Sequence, residues 1–295
     1  MKGYRSQAHD PASGKPLITF NPLKSKNSTN PIDLPCGRCI GCRLDKSRDW
    51  AVRCTHESQM HKCNSFITLT YADEHLPDDY SVQVRTWQIF MKKFRHAVES
   101  RVRFFACGEY GDQTLRPHYH ALIFGHDFDD KVVFQKTDHG PVFTSETLTN
   151  LWGLGHATTA AVNYKTAAYV ARYVVKKVSG DQADEHYWRL NPQTLRMVRV
   201  QPEFSVQSRR PGLGTSWFDR FKTDAFPSDF IVLDGKKLPV PRFYTKKLAE
   251  EEQLKIKRAR KKSGLKRKPD QTPARLRVRE EVKKSQISTL QRKLG

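Results

Sequence analysis

The sequence predicts an α+β fold: a central antiparallel sheet with flanking helices, a Cys-rich segment before it and a basic tail after it. Three observations lead there. "SFITLTY", "RVRFFACGEYG" and "HYHALIFG" have the β-branched and aromatic content of buried strands. Between the first two, "TWQIFMKKFRHAVES" spaces Trp87, Phe90, Met91, Phe94 and Val98 along one helical face. Only a short polar loop separates the second strand from the third. Strand, helix, strand, tight loop, strand outlines an antiparallel sheet carrying a helix on one face.

In chain order, residues 1–35 are rich in Pro, Ser, Asn and Lys without periodicity, which predicts an extended arm. Residues 44–60 fit a helix that turns Leu44, Trp50, Ala51 and Cys54 inward. The three strands and the helix above follow, broken at Gly108 and Gly111. "HATTAAV" suits a further strand, and Tyr164 to Val178 reads as a helix that ends near Gly180. "SRRPGLGTSWFDRF" suits a turn and a short helix, and beyond Lys246 charge dominates. No internal repeat is evident. These boundaries suggest an N-terminal arm and Cys-rich segment over 1–64, a globular domain over 65–225, and a basic, partly helical or disordered tail over 226–295.

The chain has 295 residues, 37% of them hydrophobic, enough to bury a real core. Its 52 Lys and Arg against 31 Asp and Glu leave a formal charge of +21. Such a field suits a polyanion, nucleic acid first and an anionic membrane surface second. No apolar run approaches the ~18 residues that span a bilayer, and "MKGYRSQAHDP" lacks the apolar core of a signal peptide. A soluble protein of a cytoplasm is expected.

Chemistry concentrates in two places. On a strand, His118 and His120 share one face about 7 Å apart while Tyr119 faces the other, which can grip one metal ion or can be mere decoration. On the helix from Tyr164, Tyr169 and Tyr173 lie one turn apart and roughly 40° around, with Lys176 on the same face. Core aromatics beside a snorkelling lysine would look the same. In a strongly basic protein the combination points to phosphodiester chemistry, because a phenol can attack phosphorus and keep the phosphate as a reversible ester. A divalent ion would polarise the phosphate oxygen, and Lys176 could stabilise the phenolate. Glu109, ending the preceding strand, is the candidate third ligand, although a solvated strand-end carboxylate fits as well. Two imidazoles and a carboxylate on a partly open site favour Mg²⁺ or Mn²⁺.

"FITLTY", "GEYG…RPHYHALIFG" and "AAYVARYVVKK" occur in the order of the three motifs of HUH endonucleases, the rolling-circle replication initiators. The double tyrosine with its lysines, "PCGRCIGCR", "LWGLG" and "SRRPGLGTSWF" most resemble the initiators of microviruses, of the gokushovirus branch. The resemblance runs from about Pro35 to Phe221 and implies a palm-like sheet, with 65–225 as the endonuclease domain. It implies that His118 and His120 bind the divalent ion. Tyr169 and Tyr173 would be the nucleophiles, one nicking the origin to leave a 3′-hydroxyl primer and a 5′-phosphotyrosine, the other transferring and circularising the strand. Lys176 falls on the motif's lysine. The resemblance does not settle Glu109, which rests on the geometric argument. Origin-bearing single-stranded and replicative-form DNA would be the substrates. With no Walker A loop in the sequence, a host helicase and a DNA polymerase would be partners in the bacterial cytoplasm.

Cys36, Cys39 and Cys42 follow C-x₂-C-x₂-C, which suits a structural Zn²⁺ completed by Cys54, His56, Cys63 or Cys107, or else a reduced metal-free turn. An iron–sulfur cluster has weaker support, since no distant fourth Cys sits in a fitting pattern. The tail would bind phosphates with little sequence preference, or serve only as a solvated end. Arg209 and Arg210 could reach phosphate near the site. Two other classes stay open: a plasmid initiator, relaxase or transposase of the same chemistry, and a non-enzymatic nucleic-acid-binding protein.

Overall fold

The computed structural model describes residues 2–11, 14, 16–98, 101–111, 114–137, 140–176, 182–191 and 194–288. The chain divides into two compact units, 1–43 and 44–295. In the first, β1 (Lys2–His9) pairs antiparallel with β2 (Pro16–Thr19) on one side and β3 (Ile32–Asp33) on the other. The expected extended arm is therefore a small sheet. Most of β1 is exposed, so main-chain hydrogen bonds rather than an apolar stripe define it, and no periodicity marks it in the sequence. Gly3 is the exception: a Cβ there would meet Leu34 Cδ1 at 2.5 Å.

α1 (Ile40–Ser58) leads into the second unit. β4 (Asn64–Tyr71), α2 (Val84–Ala97), β5 (Arg103–Tyr110) and β6 (Pro117–Phe124) follow as the patterning predicts. Next come β7 (Val132–Thr137), β8 (Gly140–Thr144), α3 (Glu146–Trp152), β9 (Gly155–Ala161) and α4 (Tyr164–Lys176). α5 (Gln182–Tyr187) and the paired β10 (Trp188–Leu190) and β11 (Met197–Arg199) precede β12 (Phe204–Gln207). The last part contains α6 (Thr215–Ala225), the hairpin of β13 (Phe230–Leu233) and β14 (Lys236–Pro239), α7 (Arg242–Lys247), α8 (Glu250–Lys266) and α9 (Pro273–Ser288).

The fold is α+β around a seven-stranded antiparallel sheet, in the order β12-β5-β6-β4-β9-β8-β7. β6 lies near its centre and is covered on both faces, which is why it reads as an almost unbroken apolar run. Tyr119, Ala121 and Ile123 pack toward α2 and α3, among Trp87, Phe90 and Trp152. Leu122 and Phe124 pack toward α1 and α4, among Cys54, Phe105 and Val170. The sequence pattern does not announce β7, β8 or β12. β7 is an edge strand with an exposed surface, and β12 has four residues, so neither shows the burial pattern that reveals a strand.

A third cluster joins Val52 of α1 to Trp217, Phe218, Tyr244 and Ile256 of the last helices. Ile256 docks the first turns of α8, and Arg260 pairs with Asp229. α9 is exposed throughout. No helix among the described residues is long and apolar enough to cross a membrane.

The "LWGLG" turn between α3 and β9 depends on glycine. Gly153 caps α3 in the left-handed conformation, and Gly155 takes φ +141°. A Cβ on Gly155 would lie 2.2 Å from the Ala72 nitrogen and 2.5 Å from the Thr70 carbonyl oxygen. Gly155→Ala should therefore lower stability by about 2–4 kcal/mol, seen as a lower urea midpoint by circular dichroism. A midpoint equal to wild type would show that the backbone there can move freely apart.

Candidate active site

The register of β5 on β6 builds the site. Glu109 lies opposite His118 and Cys107 opposite His120, so the carboxylate and both imidazoles project from one face at one end of the sheet. His118 Nε2 is 2.9 Å and His120 Nε2 3.1 Å from the same oxygen, Glu109 Oε1. The three candidate ligand atoms all lie within 4.8 Å of one another. Glu109 and His120 are buried and His118 half-buried. The loop between β5 and β6 thus returns the chain beside Glu109, and the solvated-carboxylate reading is excluded for this residue.

The far ring nitrogens are also held. His118 Nδ1 donates to the Arg116 carbonyl at 3.1 Å, and His120 Nδ1 lies 2.9 Å from Thr68 Oγ1. With Nδ1 of His118 committed, its Nε2 is the nitrogen aimed at Glu109 and at any ion. Sequence reasoning does not find Thr68 as a positioning residue. It sits opposite His120 in β4, a pairing that follows from strand order and not from local sequence. Tyr119 points to the other face as expected, where its hydroxyl contacts that of Tyr71 at 2.8 Å and accepts from the Gln83 amide at 3.0 Å.

α4 crosses the histidine face and brings both tyrosines to it. The Tyr169 ring meets the His120 ring edge-on at 5.2 Å, and Tyr173 stacks on it at 5.4 Å. The two tyrosine rings are 5.0 Å apart. Both rings are buried within the same cluster as Leu122 and Val170. They are core aromatics and neighbours of the candidate ligands at once, so the two readings of their spacing do not compete. Lys176 ends α4, and its side chain lies outside the described residues. Tyr169 and His120 line a cavity of about 200 Å³ that continues past Thr68, Thr70 and Thr158 to Phe134 on β7.

Burial alone would raise the Glu109 carboxyl, but hydrogen bonds from His118 and His120 outweigh it and hold the group far below the usual carboxylate range. Burial, reinforced by the Glu109 carboxylate and by Tyr169, pushes the Tyr173 hydroxyl far above an ordinary tyrosine. Two imidazole nitrogens and a carboxylate oxygen form a donor set that fits Mg²⁺ or Mn²⁺.

Two expectations need correction. Arg209 and Arg210 follow β12 at the Arg103 end of β5, where Ser208 N–H donates to the Phe104 carbonyl. Glu109 is at the other end, roughly 17 Å along the strand, so these arginines do not reach the site. Of the suggested fourth cysteine-site ligands, Cys54 and Cys107 are buried in the core under α4, and His56 is buried against Trp217 with Nδ1 3.0 Å from the Tyr244 hydroxyl. Cys36, Cys39 and Cys42 do converge, their sulfurs all within 4.8 Å.

A centre of this kind on an antiparallel sheet is what the motif order implied, and comparison with known proteins agrees. The profile of the ORF2-type replication-associated protein family matches residues 64–178, the span from β4 through α4. Replication-associated protein VP4 of Bdellovibrio phage phiMH2K is 34% identical over 238 residues, 77% of this chain and 71% of that protein. Replication-associated protein ORF2 of Spiroplasma virus 4 is 31% identical over 243 residues, again 77% and 71%. Replication-associated protein ORF4 of Chlamydia phage 1 is 29% identical over 221 residues, 72% of this chain and 52% of that protein. No solved structure matches. The chain belongs to the family of phage replication-associated proteins.

The Glu109 geometry has a pH signature. Because its carboxyl titrates lower folded than unfolded, its ionised form contributes stability that is complete above the unfolded pKa near 4.3 and is lost as pH falls toward the folded value. Glu109→Gln should cost about 1–3 kcal/mol at neutral pH, with the gap to wild type narrowing below about pH 4. Urea melts at a series of pH values measure it; a gap that widened in acid would contradict the assignment.

Proposed function

We propose that this protein is a metal-dependent DNA nickase and strand transferase that starts and ends rolling-circle replication of a small single-stranded DNA phage. The observation that carries the reading is the convergence of Glu109, His118 and His120 with Tyr169 and Tyr173 on one face of the sheet. His118, His120 and Glu109 would hold Mg²⁺ or Mn²⁺, which when bound polarises a phosphate oxygen and offsets developing charge.

The chain's own residues perform the rest. A tyrosine Oη attacks phosphorus, the Oη–P bond forms, the P–O3′ bond breaks, and the phenolic proton is lost as the 3′ oxygen becomes a hydroxyl. The products are a 5′-phosphotyrosine and a 3′-hydroxyl primer. Tyr169 lines the cavity while Tyr173 lies under it against His120, so Tyr169 makes the first cut and Tyr173 the transfer. Lys176, on the same helix, assists the phenolate. Origin-bearing single-stranded and replicative-form DNA are the substrates. A host helicase and DNA polymerase are the partners, and the bacterial cytoplasm is the place of action. The exposed basic helices α8 and α9 add salt-dependent phosphate binding.

Incubated with Mn²⁺ and a single strand carrying the origin of its genome, the protein should acquire DNA covalently. Tyr169→Phe should lose the first adduct, and Tyr173→Phe should keep it but fail to transfer the strand. His118→Ala with His120→Ala should abolish cleavage, a loss of at least about 10³-fold, with duplex binding retained. An adduct of undiminished yield on the Tyr169→Phe, Tyr173→Phe double variant would disprove the nucleophile assignment.

In the first unit, Cys36, Cys39 and Cys42 bind a structural Zn²⁺ with a fourth ligand from outside the triad. The Cys39 amide lies 3.1 Å from Cys36 Sγ. Hydrogen bonds from the Cys39 and Arg38 backbone lower the Cys36 thiol to about 6, so it is mainly thiolate at neutral pH. Purified protein should contain one zinc per chain by elemental analysis, lost on Cys39→Ser with Cys42→Ser. Metal-free protein with the wild-type sequence would refute this site.

A further inference from the structure

A second apolar surface lies on β10 and β11, away from the histidine face. Their register sets Leu190 opposite Met197 and Trp188 opposite Arg199, so Trp188, Leu190 and Met197 share one face. They are 49, 58 and 58% exposed, and Leu195 in the connecting segment is 74% exposed. The opposite face is anchored. The Arg189 guanidinium covers the Tyr110 ring at 4.4 Å, and Val198 packs beside Tyr110, Tyr187 and Val200. The turn is held too: Asn191 Nδ2 donates to the Asp78 carbonyl, and its main chain brackets Arg196. The hairpin is thus a fixed element whose outer face leaves three large apolar side chains in water.

Its position and charge point to one kind of occupant. Tyr110 follows Glu109 in β5 and, by strand alternation, faces the other way, so the hairpin abuts the end of the sheet that holds the candidate active site. From Trp188 to Arg199 the sequence has three arginines and no acidic residue. Arg199 pairs with Asp184, whereas Arg196 is exposed and has no ion pair among the described residues. A surface that is cationic and apolar together matches a polyanion with exposed apolar planes. In duplex DNA those planes are stacked away; in a single strand they are free.

We propose that the outer face of the β10–β11 hairpin is a platform for single-stranded DNA, on which unpaired bases beside the cleavage site stack against Trp188, flanked by Leu190 and Met197. This rests on the reading of the protein as one that processes DNA strands. It adds a contact that holds the strand open without taking part in the chemistry.

Trp87, Trp152 and Trp217 are buried and Trp50 is half-buried, so the emission difference between wild type and Trp188→Phe isolates the exposed ring. The full chain is titrated with oligothymidine lacking any origin and, separately, with a blunt duplex. Saturating oligothymidine should quench the Trp188 component and shield it from iodide, and duplex should not. Trp188→Ala should weaken oligothymidine binding about tenfold while leaving duplex binding nearly unchanged, and Trp188→Phe should retain most of the affinity. Met197→Glu, on the same exposed face, should reproduce the selective loss.

Unchanged Trp188 emission at saturation overturns the proposal. So does an equal loss on duplex, or a change in emission that tracks protein concentration and dimer formation without DNA. The covalent assay on origin DNA is read separately. Adduct formation without a Trp188 response rejects the platform and leaves the nickase reading standing; a Trp188 response without any adduct does the reverse.

Discussion

The pairing of β5 with β6 is the constraint on which the rest of the molecule depends. It places a carboxylate that is only 2% exposed between two imidazoles, each within 3.1 Å of one oxygen. An ionised carboxylate buried without such partners costs several kcal/mol, so this register is favoured over its neighbours by far more than strand propensity could supply. A slip by one residue would turn Glu109, His118 and His120 into the α2 core and Tyr119 onto the α4 face. The apolar pattern of β6 opposes the same slip from the other side, because Ala121 and Ile123 fit beneath α2 while Leu122 and Phe124 fit beneath α4. Packing and polar satisfaction select one register, and the site comes with it.

α4 extends that economy to the tyrosines. Val170 and Ala167 seat the helix against Phe105 and Leu122, which fixes where positions 169 and 173 must point. Phenylalanine would pack at either position about as well, so core packing does not account for the hydroxyls. Their proximity to His120 is the feature that packing alone leaves unexplained. Burial also makes the Tyr173 phenol a reluctant acid beside a charged carboxylate. On the proposed chemistry, that keeps the deeper tyrosine protonated and inert until the charge around it changes.

Much of this is legible in the sequence, and the reason differs from element to element. α2 announces itself because Trp87, Phe90, Met91 and Phe94 are all buried on one side. β4, β5 and β6 are plain because both faces of each are covered, and the order of the motifs points to His118, His120, Tyr169 and Tyr173 together. Glu109 needs an argument about where a tight turn returns the chain, since nothing in "CGEYG" distinguishes a ligand from a strand-end charge. Thr68 is invisible for a related reason: its role depends on β4 lying next to β6, a neighbour separated by 52 residues. β1, β7 and the β10–β11 hairpin escape detection because exposed strands carry no burial period. Arg209 and Arg210 mislead because closeness in sequence to an apolar turn says nothing about which end of a sheet the turn occupies.

The distribution of charge separates holding DNA from acting on it. The excess of Lys and Arg that gives +21 is densest from Lys246 onward, on helices that are mostly exposed. Contacts of that type are long-ranged, nearly indifferent to sequence and weakened by salt. The candidate site is built on opposite terms: its charges are few, buried and fixed by hydrogen bonds, so ions in solution screen them little. A protein arranged this way can gather and retain a polyanion through its surface while leaving the choice of phosphate to geometry at His118, His120 and Tyr169. That division explains how a strongly basic chain can be selective, because the forces that attract the strand are not those that position it.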